Sequence, residues 1–283
     1  RHPSTTRAGC ALSCGRWLDS GLPAGGCATA DPAKATRRRP VIKRRFGVFS
    51  MDNNRRSMPI PHDTSSALGI SLIAERQGFV VVSKPAGLRS VPSAHEHASV
   101  LTAVAEAYPE AAGPLICHRL DHATSGLMVL ALDSETHRRI SIAFEKRQVE
   151  KRYTALLEGR PPATEGVIDL PLMPDFVHRP WQRVDRFWGK PSQSRYTVLG
   201  FERSSGEAVT RVEMTPVTGR THQLRLHAAH PAEDDGLGCP MLGDALYGGG
   251  NATAPRLCLH AYLLGFDDPN TGEPLTFECP APF

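Results

Sequence analysis

Leu127-Met128-Val129-Leu130-Ala131-Leu132 is an uninterrupted apolar run, entered from Gly126 and left at Asp133. With no polar residue alternating along it, the run suits a strand buried on both faces at the centre of a sheet. Phe79-Val80-Val81-Val82-Ser83 is a second, shorter run of the same kind. It is stopped by Lys84-Pro85-Ala86-Gly87, where a fixed φ is followed by a permissive residue. Between the two runs, Ser99 to Tyr108 reads as a helix with Leu101, Val104 and Ala105 along one face. A strand is expected to run into the polar turn around Asp121. Asp133 or Ser134 can cap a helix whose inward face carries Ile140, Ala143 and Phe144. Val149 to Leu157 alternates, with Val149, Lys151, Tyr153, Ala155 and Leu157 on one face. After a Pro-rich crossover come strands at Arg195 to Phe201 and Thr210 to Pro216, and a helix from His222 to about His230. Residues 256–283 read as two short strands joined at Asp267-Asp268-Pro269-Asn270-Thr271-Gly272. The fold class that follows is α+β, with a mixed, mainly antiparallel central sheet and flanking helices. Sparse aromatics (6%) and abundant Gly (25) and Pro (24) agree with short strands and turns rather than a helical bundle. No apolar run approaches the roughly 20 residues that span a bilayer, so no membrane partner is expected.

Charge divides the chain. Residues 1–57 hold 12 Lys/Arg against 3 Asp/Glu, leaving 21 against 26 for residues 58–283. The formal net charge of +4 therefore belongs to the leader, and an RNA contact by the remainder must come from locally clustered arginines. The 1–57 segment lacks helical or strand periodicity and is expected to be a disordered basic leader. Three accounts compete for it: an organelle transit peptide, an RNA-binding arm, or translated sequence upstream of a start at Met51 or Met58. The third is favoured because the chain does not begin with Met.

Seven cysteines, at positions 10, 14, 27, 117, 239, 258 and 279, include no Cys-x-x-Cys pair. A disulfide framework and a structural zinc site are both disfavoured, and a reducing, cytoplasmic setting is the default. A plastid or mitochondrion is the alternative if the leader is a transit peptide. His222, His227 and His230 are spaced by five and three residues, not the four of a helical zinc motif, so no metal is expected.

Asp121 stands in His118-Arg119-Leu120-Asp121-His122-Ala123-Thr124-Ser125-Gly126. Its local setting, a carboxylate at a sharp turn with Arg119 and His118 beside it, fits a catalytic group projecting from a rigid scaffold. It also fits a turn-organising aspartate that hydrogen-bonds its own loop, and local features alone favour that second reading.

The whole run resembles the signature of the RluA family of pseudouridine synthases. Three further segments match that family in order: Val81 to Leu88, Glu150-Lys151-Arg152-Tyr153-Thr154-Ala155, and Thr218-Gly219-Arg220-Thr221-His222-Gln223-Leu224-Arg225 followed by Leu242-Gly243-Asp244-x-x-Tyr247-Gly248. Asp169-Leu170-Pro171-Leu172, Arg179-Pro180, Gly189 to Gln193 and the ending Phe277 to Phe283 resemble the branch that acts on both large-subunit ribosomal RNA and tRNA.

The resemblance implies a pseudouridine synthase fold with a central RNA-binding cleft over residues 58–283, without an S4 domain. It also implies an isomerase that needs no cofactor and works as a monomer on structured RNA, either rRNA or tRNA stem-loops. Asp121 matches the catalytic aspartate, and Arg220 matches the arginine expected to pair with it. Tyr153 matches the tyrosine that packs on the target base, and Arg119 the residue that enters the RNA in its place. Leu224 is a candidate for the base pocket. The competing roles are core packing for Tyr153 and Leu224, and surface ion pairs for Arg119 and Arg220. At the level of function, the alternatives are an RNA-binding assembly factor that keeps the fold without catalysis, and a hydrolase built on a carboxylate pair.

Overall fold

The computed structural model describes residues 68–204, 206–248 and 254–283. The leader, Met51, Met58 and the three N-terminal cysteines lie outside them. The apolar run forms β3 (Ser125–Ala131), every residue of which is buried. It pairs antiparallel with β2 (Phe79–Lys84), Phe79 opposite Ala131 and Lys84 opposite Gly126. Burial on both faces explains the missing alternation. On one face Val80, Val82, Met128 and Leu130 pack against Val100, Ala103 and Val104 of α1 (Val100–Ala107). On the other, Phe79, Val81, Leu127 and Val129 meet Ile140 of α2 (Ser134–Glu145) together with Phe266 and Phe277. Both helices start on side-chain caps: Ser99 and Thr102 form a reciprocal capping box, and Asp133 accepts from Thr136 N. Each cap is worth about 1 kcal/mol.

The remaining strands are β1 (Ser71–Arg76), β4 (Glu150–Glu158), β5 (Glu165–Asp169), β6 (Leu172–Pro174), β7 (Gln182–Val184), β8 (Gln193–Ser204), β9 (Glu207–Pro216), β10 (Leu259–Asp267) and β11 (Pro274–Glu278). Nine of the eleven strands form one sheet, ordered β1-β2-β3-β10-β4-β9-β8-β5, with β11 also paired to β10; β6 and β7 make a separate hairpin. All pairings are antiparallel except a two-residue parallel contact, His260 with Ser125 and Ala261 with Gly126. At that contact a Cβ on Gly126 would meet Ala261 O at 2.3 Å, and its φ is +119°. The glycine lets β3 and β10 close up just past the Asp121 turn. A second core, including Ala155, Leu157, Val212 and Met214, is closed by Leu224 and Ala228 of α3 (Gln223–Ala229).

The mixed, mainly antiparallel sheet agrees with the sequence reading, and so do β2, β3, β4, β8–β11 and the three helices to within a few residues. The strand expected before Asp121 does not form. Residues 115–121 run along β3 with one isolated bridge, Ile116 to Leu130. The reason is that a side chain takes the place of the ladder: His118 Nε2 accepts the hydrogen bond of Val129 N at 3.1 Å. Among the described residues, no helix is long and apolar enough to cross a membrane.

Candidate active site

Asp121 sits between two residues whose backbones are pinned from β2 and the turn after it. Upstream, Ser90 Oγ donates to Leu120 O at 2.7 Å and accepts from Leu120 N at 3.1 Å. Downstream, His122 O accepts from Lys84 Nζ at 3.1 Å and from Gly87 N at 2.9 Å. Lys84 also donates to Leu88 O (2.7 Å) and Pro85 O (2.9 Å), so all three of its ammonium protons are used. Its side chain is fully buried. Burial pulls its pKa down to about 7, Arg256 adds to the fall, and the nearby Asp121 charge opposes it.

The turn itself is closed by backbone, Thr124 N to Asp121 O at 3.1 Å. The carboxylate is therefore not the acceptor that organises the loop, which removes the local role that competed with chemistry. Instead Asp121 lines a cleft of about 1400 Å³ whose walls carry seven Lys/Arg against three Asp/Glu. The arginine clustering that an acidic body would need to hold RNA is thus present around Asp121.

Tyr153, Arg119, Arg220 and Leu224 all line the same cleft. Tyr153 lies on β4 between Ala261 of β10 and Met214 of β9, beside the register shift of β10 between Ala261 and Leu263. It touches both main cores as well as the cleft. Burial raises its phenol pKa and the Asp121 charge raises it further, so the ring faces Asp121 as a neutral hydroxyl. Arg119 is exposed. Its neighbour His118 stacks on Phe144 with centroids 4.4 Å apart, and burial, then the Lys151 charge, lower the imidazole to about 3. A neutral, stacked His118 fixes the backbone from which Arg119 projects. Leu224 is 6% exposed and belongs to the second core, so its packing and pocket roles coincide.

Arg220 departs from expectation. Its Nε donates to Pro191 O at 3.2 Å, and it makes no ion pair with Asp121. The cations whose charge meets that of Asp121 are Lys84 and Arg225. Arg225 is buried and bidentate on Asp244, at 2.8 and 2.6 Å. Burial would raise the Asp244 carboxyl, but that pair and the amides of Tyr247 and Leu246 hold it low. His222, in the left-handed region at φ 55°, hydrogen-bonds Tyr247 Oη through Nδ1 at 2.9 Å. Burial lowers its pKa while Asp121 partly restores it.

The sequence profile described as RNA pseudouridylate synthase matches residues 78–230, more than half of the chain. The chain is 42% identical over 209 residues to the dual-specificity RNA pseudouridine synthase RluA of Escherichia coli K12, covering 72% of this chain and 90% of that protein. It is 41% identical over 212 residues to the protein of the same name from Pasteurella multocida, with the same coverage.

The chain belongs to the RluA family of RNA pseudouridylate synthases.

Solved structures agree with that family. The human RNA pseudouridylate synthase domain containing 1 superposes with a TM-score of 0.64 at 29% identity, covering 79% of this chain and 86% of that one. Domain containing 4 gives 0.61 at 26% identity, covering 77% and 91%. The pseudouridylate synthase fold explains why the first matching segment, Val81 to Leu88, accompanies the Asp121 segment: it supplies Lys84 and Gly87, which hold His122 O in place. The sequence there reads as a strand and a turn, although a lysine at the end of a strand that opens with four apolar residues is a signal of burial. Sequence reading also missed Gln223. Oε1 of Gln223 accepts from Ser192 Oγ, Thr218 Oγ1 and Arg220 N, while Nε2 donates to Gln193 O and Ser194 Oγ. That amide locks the 218–220 turn against the start of β8. Among the described residues, no group of three or more His, Cys, Asp or Glu is placed to hold a metal. His227 spends both ring nitrogens on Ser194 Oγ and Leu170 O.

Proposed function

We propose that this chain converts uridine to pseudouridine in stem-loops of large-subunit rRNA and tRNA, with the Asp121 carboxylate as nucleophile. The observation that carries the reading is a carboxylate fixed through both neighbouring residues, unused by its own turn, in a cleft whose charged residues are mainly arginines. The reaction breaks the bond from ribose C1′ to N1 and forms one from C1′ to C5. The C5 proton is lost and N1 gains one, so no electrons are exchanged with a cofactor. A nucleophile that forms and then releases a covalent bond divides this into two easier steps. Lys84 and Arg225 are the cations whose charge meets that of Asp121.

A stacked uridine cannot reach Asp121, so the target must leave the stem. Arg119, exposed on the residue pair before Leu120-Asp121, is suited to fill the space it leaves. Tyr153 offers an apolar ring face to the extruded base while its hydroxyl stays neutral. Arg220, held at Pro191, becomes an RNA-contacting cation of the cleft rim and not the partner of Asp121. The choice of both RNA classes rests on the names of the RluA relatives. A monomer is part of the same proposal, and so is the cytoplasm, the latter supported by a cysteine pattern without paired motifs.

The test is tritium release from C5 of uridine-labelled rRNA and tRNA transcripts. Wild-type protein is expected to release tritium, and Asp121→Asn to lose at least about 10³-fold in rate. No release by the wild type from either RNA removes the enzymatic assignment, and undiminished release by the variant removes Asp121.

A further inference from the structure

Residues 172–190 form an arm, the β6–β7 hairpin with the turns at its two ends, that carries an unusual surface. Phe187 is 92% exposed, Trp188 82% and Phe176 65%. Aromatics of this size are ordinarily buried or partnered. The turns that present them are built, not loose. Asp185 Oδ1 accepts from Phe187 N at 3.0 Å and Trp188 N at 2.9 Å, and Gly189 N closes the turn on Asp185 O at 2.9 Å. At the other end Asp175 Oδ1 accepts from Val177 N (2.9 Å) and His178 N (3.0 Å), which presents Phe176 in the same way. Both acids are thereby absorbed by backbone amides, and their pKa values fall for that reason first.

The arm is also basic. Four Lys/Arg stand against these two acids, on a 58–283 segment that is net acidic. Arg183 pairs with Asp185 at 3.0 Å and Arg186 with Asp235 at 2.8 Å, which leaves Arg179 and Lys190 as the cations beside the rings. Arg179 lies over the Phe176 ring at 5.8 Å. The arm is also continuous with the cleft. Pro180 is one of the cleft's lining residues. Trp181 packs edge-on against Tyr247 at 5.4 Å, and Tyr247 Oη binds both Gln182 N and His222. Just past the arm, Pro191 O holds Arg220 of the cleft wall.

We propose that the arm is a base-stacking subsite, and that Phe187 and Trp188 take unpaired loop bases of the same RNA stem-loop whose uridine enters the cleft. The inference rests on the RNA reading above for its partner. Base stacking on exposed aromatic rings accepts any base, while flanking cations follow the phosphates. The arm would grip a loop without reading its sequence, which suits a protein acting on stem-loops of more than one RNA. A duplex offers no free base face to these rings.

The experiment measures Kd of the full chain, at one fixed salt concentration, for two probes: a tRNA anticodon-arm hairpin transcript with its unpaired loop, and the same stem made as a continuous duplex. Phe187→Ala/Trp188→Ala is expected to weaken hairpin binding by roughly 10-fold or more. Duplex binding and the melting temperature should stay as in the wild type, because both side chains lie outside the core. Trp188→Phe, which keeps a ring face, is expected to recover most of the Trp188 share. Unchanged hairpin affinity in the double variant overturns the subsite. Equal weakening on both probes also overturns it, because the arm would then hold only phosphates. A change in sedimentation behaviour with unchanged RNA affinity makes the patch a protein contact and overturns it too. None of these readings depends on tritium release, so failure of catalysis and failure of the subsite are separate results.

Discussion

Lys84 is the residue whose role is hardest to replace. Its ammonium reaches three carbonyls, one of them the backbone oxygen next to Asp121, and it sits in a space with no solvent. Methionine fills a similar volume but leaves Pro85 and Leu88 carbonyls without these donors. Each lost buried hydrogen bond of this kind costs about 1–3 kcal/mol. Lys84→Met is therefore expected to lose about 2–4 kcal/mol of stability, measured by urea unfolding. It should also lower kcat for tritium release by about 10²-fold with a smaller effect on KM, since the Asp121 loop is displaced while the cleft walls persist. An unchanged kcat in folded Lys84→Met protein would show that the loop holds its geometry without the lysine. Arg220 belongs to the same scale. Motif position alone suggested it as the partner of Asp121, but a motif gives no side-chain direction, and Pro191 O lies within its reach.

At the level of elements, the contact between β3 and β10 sets where the site can be. Only two residue pairs join these strands, and Gly126 is one of the four residues involved. A methyl group there meets backbone atoms of Ala261, which cannot swing aside as a side chain would. Tyr153 is opposite Ala261 on the other side of β10, so a push on Ala261 is felt at the tyrosine. Gly126→Ala is expected to destabilise by about 3 kcal/mol or more, combining the positive φ with the clash. A melting temperature within 2 °C of wild type, a shift of only about 1 kcal/mol or less, would contradict this. The β6–β7 arm and the edge strands β1 and β5 were not legible for a related reason. Three-residue strands and the non-alternating β1 carry too little periodicity to be read, and β5 alternates in burial but not in residue type, with Gly166 inward and Val167 outward.

For the molecule as a whole, buried neutral imidazoles tie stability to pH. Burial, its largest cause in each case, lowers His118 to about 3 and His227 and His260 to about 4. In the unfolded chain each titrates near 6.5. Between these values the unfolded chain binds protons that the folded protein refuses, so the stability from keeping them neutral is full above pH 6.5 and is lost as pH falls toward 4. At pH 5.5 the loss is roughly 1 kcal/mol for each imidazole. Thermal unfolding is expected to move several degrees lower between pH 7.5 and pH 5.5, a window above the range where Asp244 titrates. A flat melting temperature across that window would mean these histidines take up protons in the folded state.

Sequence alone determined what depends on local pattern. A buried strand needs a continuous apolar run, a turn needs Pro or Gly at set positions, and the ordered motifs around Asp121 and Tyr153 implied the family that the relatives then established. It also required that a net-acidic chain holding RNA cluster its cations, without saying which ones. Tertiary structure decided what depends on distance between segments far apart in the chain. It turned a post-strand lysine into the support of the Asp121 loop, sent Arg220 to Pro191, and put Arg225 and Lys84 near the carboxylate. A hydrogen bond or an ion pair exists only within a few ångströms, and no spacing along a chain fixes which of several arginines will arrive there.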